Sequence, residues 1–242
     1  MSGLEQRQLE PEILDGLAGD DPRALAARRD LRRINALMFQ ARIMASLLRK
    51  FVPNPPRRIL EIGAGDGSFM LAIARRMAGH WPGVELVMLD RLDLITAQLR
   101  GDFDRLGWAV EGVTADVFDW ARKNEGTRFD AITVNLFLHH FDDAELVRLF
   151  SLMAPKAPLL VATEPLRAKL ALAATRLLPA IGANDVTRND AAQSVRAGFR
   201  GSELSGLWLA ANGKPVEERR AGLFSHIFVG TGVMTYDAIG DT

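Results

Sequence analysis

Short apolar runs alternate with amphipathic stretches along most of the chain. Five runs rich in Val, Ile and Leu predict strands, at 58–62, 84–89, 108–114, 129–135 and 159–163. Between them, apolar positions at helical spacing predict helices that begin at Ser68, at 92 and at 144. This alternation predicts an α/β fold with a parallel sheet. Two later runs, 215–220 and 225–229, flank Gly222 and predict an antiparallel strand pair.

The first 52 residues predict a helical arm that precedes the sheet. Asp21 and Pro22 are typical of a helix start, because Asp caps the first turn and Pro suits its first position. Pro53–Pro56 ends the helical pattern, since prolines lack the backbone donor and fix φ. We therefore expect an N-terminal helical arm or cap, 1–52, followed by a main domain, 53–242.

Within the main domain, the stretch 166–200 predicts a cap insertion. Its first part is an apolar helix that carries Arg167, Lys169 and Arg176 and ends near Pro179. The pattern favours a cap over an apolar pocket, but it is also typical of a helix that lies on a membrane surface.

The turn after the first predicted strand is rich in glycine. It reads Gly63-Ala64-Gly65-Asp66-Gly67, and a helix begins at Ser68. Glycines permit positive φ and let backbone N–H groups approach a ligand closely, while the helix directs its positive dipole end toward the turn. The segment therefore predicts a cradle for a nucleotide-type or carboxylate-type ligand.

Composition excludes several classes of function. The 30 basic and 30 acidic side chains balance, whereas a nucleic-acid binder usually has a basic excess. The chain has no cysteine, which excludes disulfides, Cys-ligated zinc and thiol catalysis and suits a reducing cytoplasm. The N-terminus has no apolar run typical of a signal peptide, and no apolar stretch approaches about 18 residues. We expect a cytoplasmic protein without a transmembrane segment; peripheral contact with a membrane stays open.

The residue spacing in the glycine loop resembles that of a known protein family. From Glu61 to Gly67 it reads E-x-G-x-G-x-G, which differs from the dinucleotide pattern G-x-G-x-x-G. With Asp90 at the end of the next strand, it resembles the class I S-adenosylmethionine-dependent methyltransferases. That resemblance implies a Rossmann-like fold with a seven-stranded, mostly parallel sheet and an antiparallel last strand.

The same resemblance implies S-adenosylmethionine as the cofactor and S-adenosylhomocysteine as its product. The glycine loop is expected to hold the methionine end, Asp90 the ribose, and Asp116 with Val117 the adenine. The full expected cofactor set is Glu61, Gly63, Ala64, Gly65, Gly67, Asp90, Arg91, Asp116, Val117 and Asn135. A Rossmann-like fold without a cofactor is the alternative.

The segment after the fourth strand, H-H-F-D-D-A-E, resembles plant-type phenolic O-methyltransferases, in which the first histidine is the base. The resemblance assigns that role to His139, with His140 as the rival and a purely structural histidine as the alternative. An imidazole of pKa near 6.5 is a suitable base as charge develops on a phenol oxygen. No metal is expected, because Asp142 and Asp143 look like helix caps and no ligand set can be placed.

The acceptor is expected to be an apolar aromatic small molecule. The run Ser194-Val195-Arg196-Ala197-Gly198-Phe199 resembles ubiquinone and menaquinone biosynthesis methyltransferases, which implies that Ser194, Arg196 and Phe199 lie beside the substrate. Met38 and Phe39 are expected to add an apolar wall from the N-terminal arm.

These resemblances favour methyl transfer to a hydroxyl of an aromatic, quinol or phenolic-lipid molecule. A C- or N-methyltransferase acting on a related ring, and a non-catalytic partner protein of the same fold, are the alternatives. The stretch Asn135–Leu138 departs from the motif of enzymes that methylate DNA bases or protein amides, which disfavours both.

Overall fold

The computed structural model describes residues 4–232 and contains one seven-stranded sheet. Its strands are β1 Arg58–Ile62, β2 Glu85–Asp90, β3 Ala109–Thr114, β4 Ala131–Asn135, β5 Leu159–Pro165, β6 Lys214–Ala221 and β7 Ser225–Thr231. The spatial order is β3-β2-β1-β4-β5-β7-β6. Strands β1 to β5 pair in parallel, and β7 is antiparallel to both of its neighbours. The predicted α/β fold with a mostly parallel sheet is confirmed.

Nine α-helices lie within the described part of the chain. They are α1 Pro22–Leu37, α2 Gln40–Phe51, α3 Ser68–Met77, α4 Ala97–Asp104, α5 Val117–Lys123, α6 Asp143–Met153, α7 Lys169–Thr175, α8 Asp185–Ala197 and α9 Glu203–Ala210. The Asp21 side chain accepts the backbone N–H of Arg23 at the start of α1, as predicted. Asp142 and Glu145 form a reciprocal capping box at α6. None of the helices in residues 4–232 is long and apolar enough to cross a bilayer.

Three local expectations were wrong. The predicted apolar helix after β5 is shorter than expected, because α7 ends at Thr175 and a separate 3₁₀ turn, Leu178–Ile181, follows it and ends at Gly182 with φ +76°. Helix α4 begins five residues later than 92, where Thr96 caps it. Strand β4 begins at Ala131, two residues after 129; just before it, the Asp130 carboxylate accepts the backbone N–H groups of Arg57 and Arg58.

The core lies on both faces of the sheet. One face packs against α5, α6 and α9, where the rings of Phe150, Trp208 and Phe228 meet with centroids 5.0–6.3 Å apart. The other face packs against α2 and α3, through residues such as Met44 and Ile73. Helix α2 thus belongs to the same core as the sheet, although the sequence places it in the arm. The division of the chain at 52 and the cap at 166–200 stay predictions.

The sheet directs the chain's polar loops to one edge. Strand order reverses between β1 and β4, and ligand sites in open parallel sheets lie in the crevice at such a reversal, beyond the carboxyl ends of the strands. The glycine loop follows β1, and the paired histidines follow β4.

Candidate active site at the carboxyl edge of the sheet

The glycine loop is fastened to the end of β2. The carbonyl of Leu89 accepts N–H groups from Gly63 and Ala64 at 2.9 and 3.1 Å. The Asp90 carboxylate accepts the Gly65 N–H at 2.8 Å through Oδ2 and the Leu92 N–H at 3.0 Å through Oδ1. Asp90 therefore shapes the loop in addition to any contact with a ligand.

The three glycines of the loop have different surroundings. All have positive φ, at +70°, +54° and +72° for Gly63, Gly65 and Gly67. A Cβ at Gly63 would lie 2.4 Å from the Phe137 ring, and one at Gly67 would lie 2.5 Å from Leu99. A Cβ at Gly65 would meet no atom within 4 Å, so this glycine borders open space. The loop thus fits a cofactor that approaches the backbone at Gly65, at the N-terminal end of α3.

Glu61 lies beneath the loop rather than on it. Its carboxyl is fully buried and accepts a hydrogen bond from the Thr133 hydroxyl of β4. Burial raises the pKa of Glu61 to about 8, and the bond from Thr133 offsets only part of that effect. Glu61 is therefore protonated at neutral pH in this conformation.

The remaining expected cofactor residues border the same edge in different ways. Asp116 caps α5 by accepting the N–H groups of Phe118 and Asp119 at 2.9 and 3.1 Å. Val117, the first residue of α5, is buried in the core. The Asn135 side-chain oxygen accepts the Thr163 hydroxyl at 2.6 Å.

Arg91, also in the expected cofactor set, is exposed, with its guanidinium 3.9 Å from the Asp15 carboxylate. The cofactor roles of all these residues stay predictions.

His139 is held between two carboxylates. Its Nδ1 lies 2.8 Å from Glu164 Oε2, and its Nε2 lies 3.4 Å from Glu12 Oε1. Burial by itself lowers the pKa of this imidazole, but the hydrogen bonds and charges of Glu12 and Glu164 outweigh it and raise the pKa to about 9. The ring is therefore an imidazolium at neutral pH, and both of its nitrogens are occupied.

Glu164 is the anchor of this network. It is completely buried at the end of β5 and accepts backbone N–H groups from Phe137 and Leu138 at 3.0 and 2.8 Å. Burial by itself raises the pKa of the Glu164 carboxyl, but the hydrogen bond and the charge of His139 lower it by more. The net result is a pKa below the usual range for a glutamate. Glu164 thus fixes both the loop after β4 and the His139 ring.

His140 has a different environment. Its ring packs beside that of His139, with centroids 4.3 Å apart, and its Nδ1 lies 3.4 Å from the Asp15 carboxylate. Its side chain is 24% exposed. Burial and the adjacent His139 cation lower the pKa of His140 below its ordinary value. His140 is therefore neutral at pH 7 and can accept a proton.

The N-terminal segment closes over this loop, which the sequence did not indicate. The Arg7 guanidinium donates to the Phe141 carbonyl at 2.8 Å and to Asp143 at 2.9 Å, and it lies over the Phe199 ring. Glu12 reaches His139, and it also accepts the Ser194 hydroxyl. Arg7 and Glu12 carry no local motif, whereas Glu164 ends a parallel strand as Asp90 does and could have been found by the same rule.

The expected substrate residues do not form one wall. Ser194 is engaged by Glu12 and by the Asp190 carbonyl, and Phe199 is fully buried in the core. Phe39, which has a left-handed backbone conformation between α1 and α2, is 62% exposed, and Met38 beside it is half-buried. Arg196 lines a separate groove near α7. Their contacts with a substrate stay predictions.

Comparison with known proteins gives a consistent result. The model of a family described as a methyltransferase domain matches residues 35–208. An uncharacterised methyltransferase of Mycobacterium tuberculosis is 34% identical over 120 residues, which span 49% of this chain and 56% of the relative. This chain therefore matches only about half of the length of that relative.

Solved structures share the fold at low identity. An O-methyltransferase family 2 protein from Planctomyces limnophilus, in complex with apigenin, aligns with a TM-score of 0.57 at 17% identity, over 90% of this chain and 64% of that one. Magnesium protoporphyrin IX methyltransferase from Synechocystis PCC 6803, with bound S-adenosylhomocysteine, aligns with a TM-score of 0.54 at 12% identity, over 91% of both chains.

Proposed function

Because the chain belongs to the methyltransferase domain family, we propose that it methylates a hydroxyl group of an aromatic, quinol or phenolic-lipid small molecule. The methyl donor of this S-adenosylmethionine-dependent enzyme is a sulfonium, which supplies an electrophilic methyl group and a good leaving group. The protein must then orient the acceptor, exclude water and remove the hydroxyl proton.

The cofactor is proposed to bind along the edge formed by β1 and β2. The open backbone at Gly65 would receive its methionine end, and Asp90 its ribose, since a carboxylate has about four acceptor sites and the loop uses two of them. The adenine would lie beside Asp116 and Val117. This arrangement places the donor next to the loop that follows β4.

His140 is the proposed proton acceptor, and the observation that carries the proposal is its partly exposed imidazole with the Asp15 carboxylate 3.4 Å from Nδ1. The lowered pKa of the ring, caused by burial and by the His139 charge, supports it. Asp15 lies beside Nδ1, so an N–H there can donate to the carboxylate while Nε2 accepts the proton of the hydroxyl. The same carboxylate then stabilises the imidazolium that forms.

His139, the base favoured by the sequence resemblance, has a supporting role in this proposal. An imidazolium carries a proton on both nitrogens, so His139 cannot accept another proton until it has given one up, and Glu12 and Glu164 hold it in the protonated form. Its positive charge keeps the pKa of His140 low, and so keeps His140 ready as a base. If His140 is the base, the His140 variant should lose activity; if His139 is the base, the His139 variant should lose it.

The test is an assay with methyl-labelled donor and a panel of phenols and quinols. His140→Gln should lower kcat by about 10²–10⁴-fold, the usual contribution of a general base, and should leave cofactor affinity unchanged. The rate of the wild type should fall as the pH drops through the pKa of His140, because the protonated ring cannot act as a base. Phenols that are already ionised at neutral pH should be methylated almost equally by both proteins.

Matched variants distinguish the outcomes. His80→Gln removes an exposed histidine after α3 and should have no effect. A loss confined to His139→Gln would return the role of base to His139. If the methyl label were found on carbon or nitrogen, the acceptor would not be a hydroxyl group. Cofactor binding without methyl transfer to any acceptor would reject the proposal.

A further inference from the structure

The surface formed by α7 and the turn after it exposes large apolar side chains. Leu170 is 55% exposed, Leu177 69% and Ile181 44%. All three fall within twelve consecutive residues: Leu170 lies on α7, Leu177 in the turn after it, and Ile181 at the end of the 3₁₀ turn. Large apolar side chains that stay in contact with water do not stabilise the fold, so a cluster of them indicates a contact surface.

The charges beside these leucines all have one sign. No acidic residue occurs between Glu164 and Asp185, whereas Lys169 and Arg176 lie on α7 or directly after it. On α8, Arg196 lines the same two adjoining grooves as Arg176, and Arg188 lines the smaller of them. Within residues 4–232, none of these four cations forms an ion pair.

The acidic residues of α8 are already engaged elsewhere. Asp185 pairs with Arg23 of α1 at 2.6 Å. Asp190 is buried and accepts the backbone N–H groups of Ile13 and Leu14, both at 2.9 Å. Neither neutralises the cations, so the surface presents positive charge around an apolar centre.

We propose that this surface docks the protein onto an anionic lipid bilayer. Leu170, Leu177 and Ile181 enter the interface, and Lys169, Arg176, Arg188 and Arg196 lie among the acidic head groups. A helical face with apolar residues on one side and basic residues around them has the chemistry of an interfacial anchor. Three of these cations, Lys169, Arg176 and Arg196, also line the larger groove, of about 460 Å³, with Leu172 and Ala173 in its wall.

The experiment is co-sedimentation of the full chain with lipid vesicles. One preparation is phosphatidylcholine alone, and the other contains added phosphatidylglycerol. The protein should bind the anionic vesicles and be released by high salt, because screening weakens attraction to the head groups. Removing each cation should weaken partitioning by about fivefold, the effect of one basic residue near an anionic surface.

Two double variants test the two halves of the surface. Leu170→Ser with Leu177→Ser should abolish retention at moderate salt, and Lys169→Ala with Arg176→Ala should weaken partitioning onto anionic vesicles by about 25-fold, about fivefold for each cation. The matched controls are Leu209→Ser with Leu223→Ser, which are comparably exposed elsewhere, and Arg42→Ala with Arg49→Ala on α2. Neither control pair should change binding.

Three results would overturn the proposal. The first is no binding to anionic vesicles at low salt, and the second is equal binding by the leucine variant, which would mean simple attraction of charges without insertion. Competition by free inorganic phosphate at the same ionic strength would point to a soluble anion and also reject the bilayer. No methyl acceptor is needed, so the outcome is independent of the proposed reaction.

Discussion

Replacing Glu164 with Gln tests whether His139 is a buried cation. The substitution keeps the size of the side chain, and its oxygen can still accept the N–H groups of Phe137 and Leu138. It removes the charge that faces Nδ1 of His139 at 2.8 Å. The pKa of His139 should therefore fall from about 9 toward its ordinary value.

The size of the effect follows from the pKa difference. Between about 6.5 in the unfolded chain and about 9 in the folded protein, at about 1.4 kcal/mol per unit, the network contributes roughly 3 kcal/mol to the free energy of unfolding. Breaking one partner of a buried pair costs about 3–5 kcal/mol, which agrees. Because the folded pKa is raised, this contribution is complete below pH 6.5 and is lost as the pH rises through 9.

Urea unfolding at several pH values measures this directly. Glu164→Gln should be less stable than the wild type by about 3 kcal/mol near pH 6.5, and the difference should shrink as the pH rises to about 9.5. NMR titration of labelled histidine should show the pKa of His139 moving downward. Glu111→Gln, which changes an exposed carboxylate on β3, should affect neither quantity.

The reasoning would be refuted by a small, pH-independent loss. A difference below about 1 kcal/mol at every pH, with the pKa of His139 unchanged, would mean that the carboxylate is not coupled to the ring. An unchanged pKa near 6.5 would make His139 a neutral histidine and remove the support for His140 as the base, whereas an unchanged pKa near 9 would assign the raised pKa to Glu12 alone.

Two other predictions concern the first strand and its loop. Gly65→Val should abolish S-adenosylmethionine binding measured by calorimetry, since its side chain would fill the open space at a residue whose φ is +54°. The control Gly79→Val should leave binding unchanged. Equal affinity in the two variants would exclude the loop as the cofactor cradle. Glu61→Gln should be increasingly more stable than the wild type as the pH rises from 4.5 to about 8, because the unfolded Glu61 ionises and the folded one does not. Parallel stability curves would show that Glu61 is ionised in the folded protein.

The sequence by itself determined the elements whose causes are local. The strand β1, the positive-φ glycines and the start of α3 at Ser68 all follow from neighbouring residues. Asp90 could be placed at the site edge because parallel strands bring all their carboxyl ends to one side. The capping of α1 by Asp21 could also be predicted from the sequence, since a cap involves only the next turn of the helix.

Only the tertiary structure decided the state of the two histidines. Glu12 lies 127 residues from His139 along the chain and Glu164 lies 25 away, and no local pattern links them. The pKa of each imidazole depends on burial and on which charges surround it, and both are set by packing. The sequence could place His139 and His140 together after β4, but it could not tell which ring is the buried imidazolium and which is the neutral imidazole.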